Sequence, residues 1–110
     1  MVPPVIVERA LAAGLQAIGI CDHNGAANVP PVREAAAEAG LAVIPGMEVT
    51  TAEEIHLLAL FDGEKEIGAF AELVGAHLSG TNDPEAFGDQ IVVDRRGEPV
   101  ALEEHLLIGA

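Results

Sequence analysis

The sequence predicts an α/β fold in which a mainly parallel sheet carries helices on its outer side. Segments with helical periodicity alternate with short apolar runs of strand length, in the order helix, strand, helix, strand, strand, helix. The strand-length runs are apolar almost throughout, which is typical of sheets that helices cover. Aromatic residues are limited to three Phe, so the core of this 110-residue chain must consist mainly of Ala, Val, Leu and Ile.

The first helix and strand are predicted within the opening 21 residues. Residues 5–13 form a helix in this prediction, because Pro3-Pro4 suits a first helical turn and Gly14 suits the position after a helix end. Residues 16–21 follow as an apolar run of strand length. The pattern therefore indicates a helix leading directly into a buried strand.

A second helix and strand follow with similar boundary signals. Asn28 is a predicted helix cap, Pro30-Pro31 open the helix, and residues 32–39 continue it up to Gly40. Residues 41–44 are the second predicted strand. We expect Pro45-Gly46 to stop this strand, because proline and glycine commonly mark turns.

The second half of the chain predicts one more strand, a helix and a hairpin. Residues 55–61 read as the third strand and residues 64–78 as the third helix. The helix residues predicted to face inward are Ile67, Phe70, Ala71 and Val74. A turn at 81–84 precedes a predicted hairpin with strands 91–94 and 99–102.

Acidic residues and histidines lie at or near the predicted strands. Asp22 and His23 follow the first strand directly, Glu48 follows the second, and His56 lies in the third. Ligands bind at the carboxyl ends of strands in α/β proteins. Because imidazole and carboxylate groups are common ligands of divalent cations, these four residues form a candidate metal site.

Each of these residues also has a simpler interpretation. His23 could cap a turn, Glu48 could be an exposed loop carboxylate, and His56 could be a hydrogen-bonded histidine of the core. Asp22 is either a ligand or a group that orients one. Cys21 is predicted to be a small buried hydrophobe and not a nucleophile.

The charge of the chain restricts its partners. The net charge is −13, with only five Lys and Arg, which argues against a nucleic-acid surface formed by this chain alone. A phosphate-bearing substrate is compatible with this charge where metal ions supply positive charge locally. Arg95-Arg96 could contact a phosphate or simply form a polar hairpin tip, and the acidity could serve solubility alone.

Nothing in the sequence indicates a membrane or secreted protein. The apolar runs are too short to span a bilayer, and no basic segment leads into an apolar signal. The single cysteine, Cys21, excludes an internal disulfide. We therefore expect a cytoplasmic location.

Three segments together resemble the PHP family, the polymerase-and-histidinol-phosphatase metal-dependent phosphoesterases. They are GLQAIGICDHN at 14–24, GLAVIPGMEVTT at 40–51 and HLLALF at 56–61, and they are similar to the family's second and third motifs in order and spacing. The resemblance implies part of a distorted (β/α)7 TIM-like barrel. It also implies two or three metal ions at the carboxyl ends of the barrel strands.

The resemblance also implies roles for the four candidate residues. His23 would be a metal ligand, Glu48 would bridge two metals, His56 would bind a further one, and Asp22 would be a ligand or a carboxylate close to one. Glu48 and Asp22 are the implied catalytic residues. The implied reaction is hydrolysis of a phosphomonoester, such as a phosphorylated small molecule or nucleotide, with Zn, Mn or Fe.

The chain departs from the family pattern at both ends of the motif series. No histidine precedes His23, so the family's opening His-x-His is not matched, and His77 and His105 do not form its closing Asp-x-His. His77 and His105 are therefore predicted to be surface or helix-end residues. We expect residues 1–110 to be a partial PHP domain. Either a start assigned at an internal methionine or a truncated gene would explain the missing first motif, and the apolar end at 106–110 is a second sign of incompleteness.

Two consequences of a partial domain remain open at this point. A chain with an incomplete ligand set could be a non-catalytic fragment or accessory module with partial or no metal binding. An incomplete barrel would also expose a sheet edge and an apolar face, which favours self-association.

Overall fold

A computed structural model describes residues 1–107 of the chain; the final three residues of the apolar end at 106–110 lie outside the described part. The predicted order of helices and strands is confirmed, with one short added helix, α4. The elements are α1 (Pro3–Ala12), β1 (Ala17–His23), α2 (Val29–Ala39), β2 (Ala42–Thr50), β3 (His56–Leu60), α3 (Glu64–His77), α4 (Pro84–Phe87), β4 (Ile91–Val93) and β5 (Pro99–Leu102). Within residues 1–107, no helix is long and apolar enough to cross a membrane.

The main sheet has three strands in the order β1-β2-β3 and is mixed. β1 pairs with β2 in parallel, and β2 pairs with β3 antiparallel. The α/β class is confirmed, but the expectation of a mainly parallel sheet is wrong. Only residues 51–55 connect β2 to β3. A parallel crossover needs roughly a dozen residues or more, so the chain folds back as a hairpin.

β2 continues through Pro45-Gly46, where the sequence predicted it to stop. The carbonyl oxygen of Pro45 accepts a hydrogen bond of 2.8 Å from the Phe61 N–H. Proline cannot donate the reciprocal bond of an antiparallel pair, and the pairing of β3 ends one residue earlier, with Leu60 opposite Gly46. Pro45 is tolerated in the strand because its missing donor falls beyond the end of the neighbouring strand.

The helices of the two core clusters pack on one face of this sheet. The strand residues in both clusters all have side chains on that face. One cluster joins α1 to α2, and the second joins α2, β2 and α3. Their fully buried members are Val7, Ala10, Ala36 and Leu41 in the first, and Val29, Met47 and Ile67 in the second. The predicted inward side of α3 is confirmed, since Phe70, Ala71 and Val74 pack against the second cluster.

The opposite face of the sheet, which we term the bare face, is largely uncovered. Side chains alternate across a strand, so the residues next to those in the core point to this side. Ile44, Leu58 and Leu60 lie here and are 43%, 66% and 59% exposed. Apolar side chains of neighbouring strands at this exposure form an uncovered apolar surface.

The predicted hairpin is confirmed as β4 and β5, a separate two-stranded sheet. Asn28 joins it to the start of α2: its Nδ2 donates to the Ile91 carbonyl at 3.0 Å, and its Oδ1 accepts from the Val93 N–H at 3.0 Å. Asn28 occupies the predicted cap position but makes no side-chain cap hydrogen bond. The prediction of a side-chain cap is therefore wrong, because the hairpin engages both ends of the amide.

Gly46 is packed more closely than Gly19, the other glycine of the three-stranded sheet. A Cβ atom at Gly46 would lie 2.5 Å from the Cys21 Sγ and 2.9 Å from the Ile20 carbonyl oxygen. We expect Gly46→Ala to lower the free energy of unfolding by about 1–3 kcal/mol, because a backbone carbonyl cannot move aside as a side chain can. Urea denaturation monitored by circular dichroism would measure the change.

Gly68→Ala is the matched control. Gly68 lies in α3, and a Cβ there would meet no atom within 4 Å. Replacement of an exposed helical glycine by alanine should raise the free energy of unfolding by roughly 0.5–1 kcal/mol. An unchanged denaturation midpoint for Gly46→Ala would contradict the close packing of β1 against β2.

Candidate metal centre

Three of the predicted site residues meet on the bare face of the sheet. His23 ends β1 and lies opposite Glu48 in β2, and His56 begins β3 opposite Thr50. Opposed residues of neighbouring strands project to the same side, and so do residues two apart in one strand. Strand register therefore brings the two imidazoles to the carboxylate of Glu48 from either side.

The carboxylate of Glu48 lies between the two histidines. Its Oε2 is 2.9 Å from the His23 Nδ1, and its Oε1 is 3.8 Å from the His56 Nδ1. One ligand atom from each residue lies within 4.8 Å of the others. Bonds of about 2.0–2.2 Å place two donors on one cation roughly 3–3.5 Å apart, so the spacing and chemistry of this donor set fit a divalent metal.

Thr50 holds the His56 ring, a role that sequence reasoning missed. The Thr50 Oγ1 lies 3.1 Å from the His56 Nδ1. A hydrogen bond at one ring nitrogen orients the imidazole and leaves the other nitrogen available. The signal in the sequence was the position of Thr50 two residues after Glu48, which places both on one face of a strand.

Asn24 is the second residue that sequence reasoning missed. It follows β1, is buried, and has a left-handed backbone with φ 48°. Its N–H donates to the Glu48 carbonyl at 2.8 Å, and its Oδ1 accepts from the Thr50 N–H at 3.0 Å. The signal was an asparagine directly after a strand, because asparagine tolerates this conformation and bonds nearby backbone.

Asp22 does not join the cluster of His23, Glu48 and His56. It lies opposite the buried Met47, so its register position is on the side that bears the helices. Desolvation by the surrounding protein raises the pKa of the Asp22 carboxyl, and this outweighs the opposite effects of His23 and the N-terminal ammonium group. The predicted role of Asp22 as a direct ligand beside His23 stays a prediction that this geometry does not favour.

The other residues considered from the sequence are not part of the cluster of His23, Glu48 and His56. Burial raises the pKa of the Cys21 thiol, and the charges of Asp22 and Glu48 raise it further, so the nucleophilic thiolate is disfavoured. His77 is exposed at the end of α3, with Nδ1 2.8 Å from the Leu73 carbonyl oxygen.

The hairpin and the end of the described chain hold the other two candidates. Arg95 pairs with Glu38 on α2, which makes the hairpin tip a surface contact. His105 is exposed and forms a β-bridge opposite Thr81.

A cavity of about 630 Å³ adjoins the cluster. Asp22, His23 and Glu48 contribute to one side, while α3, β4 and the end of the described chain contribute to the others. Its volume suits a small-molecule ligand. Among the described residues that line it, none is Lys or Arg, whereas several are acidic.

Comparisons with known proteins agree on one family. The PHP domain model matches residues 3–105. The 5'-3' exoribonuclease of Haemophilus influenzae is 36% identical over 61 residues, which cover 53% of this chain and 22% of that protein. The Escherichia coli 5'-3' exoribonuclease Rnm is 35% identical over 65 residues, which cover 54% of this chain and 22% of that protein.

A solved structure from Bifidobacterium adolescentis, described as a candidate metal-dependent phosphoesterase, has a similar fold. The TM-score is 0.55 at 29% identity, and the match covers 68% of this chain and 27% of that chain. The chain thus spans about a fifth of the length of the exoribonucleases that it matches.

We expect Asp22→Asn to change how the stability of the metal-free chain depends on pH. A carboxyl whose pKa rises on folding binds its proton more tightly in the native state, so its stabilising contribution is complete below its ordinary pKa of 3.8 and is lost as the pH rises through the raised value. Thermal unfolding from about pH 3 to about pH 7 should show wild type losing stability relative to the variant. If wild type instead gained stability relative to Asp22→Asn as the pH rises, the raised pKa of Asp22 would be contradicted.

Proposed function

This chain is a member of the PHP domain family, and we propose that it carries the central part of a metal-dependent phosphoesterase site. The observation that carries the proposal is the convergence of His23, Glu48 and His56 with the carboxylate between the two imidazoles. The structural likeness to a candidate metal-dependent phosphoesterase supports it.

The geometry suggests a role for each of these side chains. We propose that His23, Glu48 and His56 would hold the divalent metal, with the Glu48 carboxylate between the two imidazoles. Zn, Mn and Fe all suit mixed histidine and carboxylate donors. Asp22, on the other side of the strand, would contribute negative charge close to His23 and no direct bond.

The charge of the cavity explains why such a site would need a metal. A phosphate group entering it would meet the carboxylates of Asp22, Glu48 and Glu103 with no Lys or Arg among the described lining residues. When bound, a divalent cation supplies the positive charge that neutralises phosphoryl oxygens and lowers the pKa of water. Glu48 would position that cation, because β1 and β3 pair with β2 on its two sides.

The proposed substrate is a phosphorylated small molecule or nucleotide. The relatives named as 5'-3' exoribonucleases favour RNA as a second candidate. The net charge of −13 disfavours contact with a long nucleic-acid backbone by this chain alone. We therefore place the small phosphomonoester first.

The bare face supports the proposal that the sheet belongs to a larger barrel. A closed barrel places one side of each strand toward an interior filled with side chains. Here the side with the candidate ligands is also the side that leaves Ile44, Leu58 and Leu60 exposed. We propose that residues 1–110 are a partial PHP domain whose bare face corresponds to a barrel interior.

The same surface supports self-association of the chain. We expect the Leu58→Ser, Leu60→Ser double variant to lower the weight-average mass in sedimentation equilibrium, because it removes apolar surface from the bare face. Leu11→Ser is the control, since Leu11 lies on α1 and is 43% exposed. If the Leu58/Leu60 variant has the same mass distribution as wild type, the bare face does not mediate association of the chain.

The central test of the proposed function is metal binding by wild type and Glu48→Gln. We expect wild type to bind Mn²⁺ or Zn²⁺ in calorimetric titration. Glu48→Gln should weaken metal binding on the order of 100-fold, because it removes the negative charge of the carboxylate that lies between the two histidines. Glu8→Gln, an exposed change on α1, should bind as wild type does.

Turnover separates the proposed enzyme from the alternative of a non-catalytic module. Only three donors cluster among the described residues, so we expect weak turnover by the 110-residue chain. With added metal it should hydrolyse p-nitrophenyl phosphate slowly and bis(p-nitrophenyl) phosphate more slowly still. Metal binding without hydrolysis by any longer version of the protein would favour the accessory module. No metal binding by wild type would reject the metal site.

A further inference from the structure

We propose that Asn24 is the positioning residue of the candidate metal centre, and that its side chain fixes the two histidines relative to Glu48. This inference rests on the proposed function, because it concerns the geometry of the same metal site. It assigns to Asn24 no contact with metal or substrate.

The first support is the burial of the Asn24 amide. Asn24 is 2% exposed, and among residues 1–107 it is the only polar residue in the buried class. Its side chain is nevertheless hydrogen-bonded at both ends: Oδ1 accepts from the Thr50 N–H at 3.0 Å, and Nδ2 donates to the Leu107 carbonyl at 2.8 Å. A buried amide with both ends bonded can take up only one orientation without leaving a polar group unsatisfied.

The second support is the position of these bonds. Asn24 directly follows His23, its backbone N–H bonds the Glu48 carbonyl, and its side chain bonds the backbone of Thr50, whose hydroxyl contacts His56. His23 is therefore the sequence neighbour of Asn24, Glu48 is one hydrogen bond away from it, and His56 is two contacts away, through Thr50. These bonds extend the pairing of β1 and β2 beyond the last residue of β1.

The third support is the connection to the C-terminal segment, which we define as residues 103–107. The Gln90 side chain bonds this segment at three points: its Nε2 donates to the carbonyls of Glu103 and His105, and its Oε1 accepts from the Leu107 N–H. The Asn24 side chain adds a bond to the Leu107 carbonyl. Asn24 therefore joins a wall of the cavity to the residues of the metal cluster.

The left-handed backbone of Asn24 determines which substitution tests this role. Alanine at φ 48° would add backbone strain to the loss of the side chain, whereas glycine adopts this conformation readily. Asn24→Gly thus removes the amide alone. Asn24→Asp keeps the acceptor for the Thr50 N–H and loses the donor to Leu107.

Asn28→Ala is the matched control. Asn28 also donates to one carbonyl and accepts from one N–H, but its bonds join α2 to β4 and not β1 to β2. Loss of this amide should reduce thermal stability in the same way as loss of the Asn24 amide. Only the Asn24 variant should change the metal site.

The experiment measures Mn²⁺ and Zn²⁺ affinity by calorimetry and unfolding of the metal-free chain by circular dichroism. We expect Asn24→Gly to weaken metal binding about tenfold or more, as for other outer-shell groups. Asn28→Ala should bind metal as wild type does. Asn24→Asp should lose no more than about threefold in affinity, because the bond to Thr50 survives and the added negative charge attracts a cation. Binding is compared at a temperature where every variant is folded.

Four results separate the possible failures. Wild-type metal affinity in Asn24→Gly would overturn this inference and leave the proposed function intact. Equal loss of affinity in Asn24→Gly and Asn28→Ala would overturn it as well, because general destabilisation would then suffice. If Asn24→Gly does not fold, the folded Asn24→Asp variant provides the test. A more than threefold loss of its metal affinity would overturn the role of the Asn24–Thr50 bond, and retained affinity would support it. No binding by wild type would instead reject the metal site itself.

Discussion

The parallel register of β1 and β2 is the constraint on which the candidate site depends. It places Ile18 opposite Val43 on the side of the helices, and the same alternation places His23 opposite Glu48 on the bare face. The apolar pairs fix the register because they are covered by α1 and α2. Burial of hydrocarbon on one face of the sheet therefore sets the distance between His23 and Glu48 on the other face.

This arrangement separates stability from chemistry across the thickness of one sheet. The buried side chains Met47 and Ile67 lie on the helix side. The bare face carries the two histidines and Glu48, and at Gly46 the backbones of β1 and β2 approach closely. A buried carboxylate on the helix side would carry a large desolvation cost unless paired. On the bare face the same group remains half-exposed, close to solvent and close to an imidazole.

Much of the fold was accessible from local signals. Prolines in the first turns and Gly40 after the helix end marked α2, and apolar runs located β1 and β3. The direction of β3 was missed because apolar runs do not reveal strand direction, and the connection was recognised as only five residues long once β2 was seen to continue to Thr50. The length of β2 was missed because proline usually stops a strand, and its tolerance here depends on where the neighbouring strand ends.

The candidate site was predictable only as far as residue type and strand position allow. His23, Glu48 and His56 were recognisable as potential ligands near strands, and the structure brings them together. Asp22 shows the limit of this reasoning, because adjacency to His23 in sequence means the opposite side in a strand. Asn24 and Thr50 act through hydrogen bonds to backbone and to a ring nitrogen, and such partners are known only when the chain is folded.

The register also links the lengths of two distant stretches of sequence. From Ala17 opposite Ala42 to His23 opposite Glu48, both strands contribute seven residues with no bulge. A one-residue deletion within either stretch alone would carry the following side chain to the other face. In diverging versions of this chain, a gain or loss of a residue between 17 and 23 therefore requires a matching change between 42 and 48.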